Sequence, residues 1–168
     1  MRRKPWRTLY CEGESMIIGI DPGSSTSGVV MVTGTLQKLD IKFACSDMDN
    51  GELVDSLKSE KNLSNILVIE DISGRSPPGM QMPGKYVVGT AKWIGRFHQA
   101  WPYPEEVIFI HRAKVRWNIL KTNKGGDAAI TKILEERYGK KIAGIKKHAL
   151  QALALVITHL ECCHAKVE

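Results

Sequence analysis

Two carboxylates and a histidine–glutamine pair are the side chains of this chain best placed to do chemistry. Asp21 closes the apolar run IIGID and is followed by the turn Pro22-Gly23. Glu70 closes a second apolar run, ILVIE. An acid at the end of a buried strand is costly unless something pairs with it, and a metal ion is a common partner. His148 and Gln151 lie three residues apart in KKHALQALALVITH and so share one face of a helix. Hard divalent ions prefer oxygen, which makes Asp21 and Glu70 the stronger metal ligands and His148 the softer addition. A pair of such ions can activate water on one side of a phosphodiester and stabilise the leaving oxygen on the other. Spacing alone equally allows Asp21 to begin an ordinary Asp-Pro-Gly turn, His148 to face solvent and Gln151 to sit beside a core stripe.

The elements that must position these groups follow from the pattern. Residues 17–20, 28–33 and 36–45 read as strands, the last two joined by a turn at Gly34 that favours antiparallel pairing. Residues 52–59 read as a short helix with Asn50 as its cap, and 66–69 as a buried strand. The segment SGRSPPGMQMPG at 73–84 is too rich in Gly and Pro for regular structure. Helical spacing then covers 86–99, a short strand 107–110, and helices 127–138 and 146–164. This order predicts an α/β fold, a mixed five-stranded sheet (βββαβαβα) flanked by helices, with Asp21 and Glu70 at carboxyl ends of neighbouring strands. Strand alternation turns Asp71 away from Glu70, and Asp127 reads as a helix cap.

Composition narrows the class. With 43% hydrophobic and 25% charged residues the 168-residue chain is a globular domain and not a disordered one. No apolar run approaches the roughly 20 residues of a membrane span, and residues 1–15 lack the apolar stretch of a secretory signal, so a cytoplasmic location is expected. Residues 1–15 read as a basic, flexible extension, and 16–168 as one domain. The adjacent Cys162 and Cys163 have no second ligand pair elsewhere, which argues against a zinc site.

The formal charge of +6 is unevenly spread. Residues 1–84 hold 9 Lys+Arg against 11 Asp+Glu, whereas 85–168 hold 15 against 7. A basic half opposite a mildly acidic one suits a polyanion, with DNA the leading candidate and a solvated basic surface the plain alternative. Arg112, Lys114, Arg116, Lys121 and Lys124 cluster in HRAKVRWNILKTNK, and Lys146 and Lys147 precede the proposed site; Arg75 and Lys85 flank the Gly/Pro-rich loop. Such cations neutralise phosphates without reading sequence. Trp117 could stack on a base, but its helical spacing from Lys114 and Leu120 favours the core.

In order and separation, IIGIDPGSSTSGVV, LVIED and HALQALALVITH resemble the RuvC-type Holliday junction resolvases, closest to their divergent phage and prophage branch. The resemblance covers about residues 16–159. It implies a ribonuclease H-like fold, a homodimer, magnesium or manganese at a two-metal site, and symmetric nicking of four-way DNA junctions. It matches Asp21 and Glu70 to catalytic acids and places His148 where the family carries Asp or His. Gln151 departs from it, standing where the last catalytic aspartate is expected. A neutral amide coordinates without adding charge, so the second ion should be held weakly. The expected function is thus metal-dependent hydrolysis at four-way junctions by Asp21, Glu70, His148 and Gln151, or junction binding with turnover lost. Ile72 and Ser73 stand where an aromatic wedge is often found, so junction opening by stacking is not implied. An actin-like ATPase reading of IDPGSSTSG lacks the second phosphate loop and second domain it needs. The ribosomal-RNA-processing nucleases of the same fold fit the long basic half less well.

Overall fold

The computed structural model describes residues 16–60, 65–72, 84–122 and 124–164. The basic extension at 1–15, Arg75 and most of the Gly/Pro-rich loop lie outside the described residues, as does the side chain of Lys85. Five strands form one sheet: β1 (Ile17–Asp21), β2 (Thr26–Thr33), β3 (Asp40–Asp49), β4 (Ile66–Asp71) and β5 (Ile108–His111). Their spatial order is β3-β2-β1-β4-β5. The first three strands pair antiparallel, as a meander should, whereas β4 joins β1 and β5 joins β4 in parallel through helical crossovers. The mixed five-stranded sheet flanked by helices that the element order predicts is therefore present.

Period-two alternation sorts the strand residues onto two core layers. Ile18, Ile20, Val29, Met31, Leu67 and Ile69 pack with Leu53 and Leu57 of helix α1 (Asn50–Lys58) and with Phe97 of helix α2 (Gly84–Ala100). Ile17, Val30, Val32, Val68 and Ile110 face the other way. They are covered by α3 (Arg112–Leu120), α4 (Asp127–Tyr138) and α5 (Lys147–His164). Asp21 and Glu70 carry the parity of this second layer, so both carboxyls point to the α5 side. Asp71 has the opposite parity and meets His111 at 3.3 Å. Alternation thus separates the neighbours Glu70 and Asp71, as expected.

Two glycines let α5 lie against the sheet. A Cβ on Gly28 would stand 2.2 Å from the carbonyl oxygen of His148, and one on Gly19 would stand 2.5 Å from that of Ala152. Any side chain at either position would hold the helix off. Along the central stretch of α5, residues 149–157 are all buried. Its apolar face is therefore spent inside the domain, whereas α2 leaves Tyr86 and Val88 exposed.

Some local expectations change. Asp49, not Asn50, caps α1, accepting hydrogen bonds from the backbone of Gly51 and Glu52. Asn50 is instead wholly buried. Trp117 is 59% exposed on α3 and does not enter the core. Asp127 does not cap α4: Gly126 holds that position and makes no side-chain bond, while Asp127 turns to Arg112. The third strand starts later and runs further than its pattern suggests, and α3 emerges from the basic segment as a separate helix. Among the described residues no helix is long and apolar enough to cross a membrane.

Candidate active site

Strand β1 delivers Asp21 to the sheet edge, and a built turn holds it there. Asn50 Nδ2 donates to the carbonyl of Gly23 (3.1 Å), and its Oδ1 accepts from the Ser27 hydroxyl (2.6 Å). The Ser27 oxygen in turn accepts from the Gly23 amide at 3.3 Å. The indole of Trp93 on α2 donates to the carbonyl of Ser24 at 2.9 Å. The buried bond between Ser27 and Asn50 is the costly one to break, because a lone partner there stays desolvated. The turn after Asp21 is therefore a fixed platform rather than a flexible phosphate loop.

Helix α5 brings the histidine. The Ser46 hydroxyl, from β3, accepts from the backbone amide of Ala149 at 3.2 Å and pins the first turn of the helix. His148 Nδ1 lies 2.9 Å from Asp21 Oδ2. The hydrogen bond to Asp21 raises the His148 pKa above 6.5, outweighing burial. With Nδ1–H donating to the carboxylate, Nε2 carries the lone pair, on a side chain that is 59% exposed. This is an Asp–His dyad open to solvent.

Arg112, expected among the DNA contacts, lies inside the acidic site. As the first residue of α3 it follows β5 directly, and β5 neighbours β4, which carries Glu70. Its Nη1 donates to Glu70 Oε2 at 2.8 Å and stands 3.8 Å from Asp21 Oδ1; its Nη2 donates to Asp127 Oδ1. One planar fork thus spans three carboxyls, the geometry a guanidinium suits and an ammonium does not. Burial pushes the Glu70 carboxyl up to about 8; Arg112 opposes that rise and the charge of Asp21 adds to it. The guanidinium pKa moves further up, because its three acids outweigh its own burial.

Gln151 completes the helix face. It is 1% exposed, and neither Oε1 nor Nε2 has a hydrogen-bond partner. A buried amide with both ends unpaired is a strained arrangement, to be expected where a polar group serves something besides packing.

The carboxylate oxygens of Asp21 and Glu70 are donors of the kind a hard divalent cation takes. With Asp21, Glu70 and Asp127 ionised and Arg112 charged, the site carries a net charge of −2 at neutral His148, which a single such ion would balance. Gln151 adds an oxygen but no charge, and among the described residues no three His, Cys, Asp or Glu side chains are gathered for an ion.

The remaining cations lie outside this centre. Lys114, Lys121, Lys124, Lys146 and Lys147 are exposed, and Arg116 is half-buried. Lys114 lies one turn before Trp117 on α3, so the exposed indole has a cation beside it on the same helix face. Sequence reasoning passed over three parts of the site: Asn50, Arg112 as a site residue and Asp127. The Asn50 network has a weak signal in Asp49-Asn50, two capping residues in a row where one suffices. Arg112 and Asp127 belong to segments far apart in sequence, and no local pattern announces their pairing.

No protein-family model matches the chain, and no curated protein is similar to it in sequence. Solved structures are similar in fold. The Thermus thermophilus RuvC in complex with a Holliday junction substrate superposes with a TM-score of 0.68 at 14% identity, covering 90% of this chain and 96% of that one. A second Thermus thermophilus RuvC structure gives 0.65 at 15% identity, over 90% and 97%. Over nearly its whole length, then, this chain has a RuvC-like, ribonuclease H-like fold.

Proposed function

We propose that the protein is a structure-selective endodeoxyribonuclease that hydrolyses phosphodiesters at four-way DNA junctions. The carrying observation is the 2.9 Å contact between His148 Nδ1 and Asp21 Oδ2, made at the sheet edge where Glu70 also projects. The RuvC-like fold and the junction bound to one such neighbour support the choice of substrate.

Asp21 and Glu70 would hold a magnesium or manganese ion, which when bound supplies Lewis-acid polarisation of a phosphoryl oxygen. The dyad supplies the base. Asp21 fixes the imidazole by accepting from Nδ1, leaving Nε2 to take the proton of an attacking water. Asp21 also stabilises the imidazolium that results. The platform of Asn50, Ser27 and Gly23 keeps the Asp21 carboxyl from turning toward solvent. Lys146 and Lys147 precede His148, and Lys114 on α3 and Lys121 just past its end add further charge, where cations neutralise phosphates on either side of the scissile one. Symmetric nicking requires two such centres, so the proposal includes a homodimer, with α2 and its exposed Tyr86 and Val88 as the contact surface.

A second reading has its own support. Gln151 lacks the charge expected at its place, and Arg112 already neutralises Glu70. Both favour a protein that binds junctions and turns over slowly or not at all. Incubation with a labelled mobile four-way junction and manganese separates the two. The nuclease reading expects paired, symmetric nicks that a linear duplex of the same sequence does not receive. Tight junction binding without nicks would establish the second reading instead.

A further inference from the structure

We propose that Arg112 is the resident cation of the acidic site, and that a divalent ion enters only by displacing it from Glu70 onto Asp127. The inference rests on the metal-binding part of the reading above. Glu70 Oε2 is engaged by Arg112 Nη1 at 2.8 Å, and the same nitrogen lies 3.8 Å from Asp21 Oδ1. An ion held by Asp21 and Glu70 would compete with Arg112 for these same carboxylates. Like charges a few ångströms apart repel strongly in a partly buried site, so a divalent ion and the guanidinium would oppose each other there.

Asp127 makes the exchange feasible. It receives Nη2 at the other edge of the same guanidinium, on a carboxylate from α4 that is more exposed than Glu70. When Nη1 leaves Glu70, the arginine keeps one ion pair and is not stranded as a lone buried charge. Arg112 is accordingly a positioning residue. It sets how much metal the site demands before Asp21 and Glu70 are released to it, and Asp127 is its tether.

The test is direct manganese binding without DNA, read from the electron paramagnetic resonance of the free ion. Arg112→Gln should raise manganese affinity about tenfold or more, since removing a repelling charge at this range is worth over one decade. Asp127→Asn should lower affinity several-fold, because the displaced arginine then has nowhere to go. In the Arg112→Gln background the same Asp127→Asn change should do almost nothing, since no arginine remains to tether. That non-additivity separates a tether from a metal ligand. Arg112→Lys keeps the charge but cannot span Glu70 and Asp127, and should raise affinity by a smaller factor; it serves if Arg112→Gln does not fold. Unchanged or weaker binding in the arginine variants overturns the proposal. An equal loss from Asp127→Asn in both backgrounds overturns the tether. Because no DNA is present, competition for manganese in a protein that never nicks junctions would sink the nuclease reading and leave this one standing.

Discussion

Gly28→Ala should uncouple the Asp21–His148 dyad while adding only one methyl group. Gly28 pairs with Asp21 across β1 and β2 and lies directly under the first turn of α5. The new Cβ would stand 2.2 Å from the His148 carbonyl oxygen, 2.3 Å from its carbonyl carbon and 2.7 Å from its Cβ. Two of these are backbone atoms, so no side-chain rotation relieves the clash. Ordinary contact begins at 3.4 Å, so helix and strand must part by about 1.2 Å, an overpacking strain worth about 3 kcal/mol. For a chain of this length that lowers Tm by roughly 6–12 °C. The same displacement stretches the 2.9 Å bond between His148 and Asp21 beyond hydrogen-bonding range. Since that bond is the chief cause of the raised His148 pKa, the value should fall back toward 6.5. Urea denaturation gives the stability, and a proton NMR titration of the imidazole C–H signals gives the pKa. Gly95→Ala is the matched control. It lies within α2 with nothing within 4 Å of the new Cβ, and should be neutral or slightly stabilising through helix propensity. If Gly28→Ala is no more harmful than Gly95→Ala, or leaves the His148 pKa raised, the close seating of α5 does not hold the dyad together.

Three further outcomes follow from the same geometry. Asn50→Ala removes the bonds to Gly23 and Ser27 and leaves the buried Ser27 hydroxyl without its partner, which should cost about 1–3 kcal/mol in urea denaturation and slow incision by loosening Asp21. In metal-free protein, Glu70 and His148 both have folded pKa values above their unfolded ones. The native state therefore binds more protons, and stability is greatest below pH 4.5 for Glu70 and is lost as pH climbs to about 8. The slope is about 1.4 kcal/mol per pH unit per proton, and Glu70→Gln should flatten it in pH-dependent thermal melts. On the proposed reading, Gln151→Asp would add charge for a bound ion and should raise both magnesium affinity and cleavage; a folded variant that gains neither would count against Gln151 as a weakened ligand position.

Much of this was legible in the chain because the determinants are local. Period-two patterning places Asp21 and Glu70 at strand ends and turns Asp71 away, and i, i+3 spacing sets His148 beside Gln151. What local pattern cannot carry is which residue meets which across the fold. Arg112 reads as one more cation in a basic run, yet strand order places β5 beside β4 and so puts its successor residue next to Glu70. Asp127 reads as a cap because helix starts favour acids, but a charged partner outbids the helix amides. Trp117 fits a helical core stripe, and its exposure follows from Val115 and Ile119 filling the buried face of α3 instead. Asn50 is displaced from its capping role because Asp49 reaches the same amides one residue earlier.

The central claim, that the Asp21–His148 dyad with Glu70 is a centre for incising branched DNA, is tested most directly by one paired measurement. Manganese-dependent incision and equilibrium binding of the same labelled four-way junction are compared for the natural chain and for Asp21→Asn. The substitution leaves the exposed lysines of α3 and of the approach to α5 in place. Symmetric nicks in the natural chain, lost in Asp21→Asn while junction binding stays within a few-fold, is the expected result. Nicks that persist in Asp21→Asn, or binding that disappears with them, would contradict it.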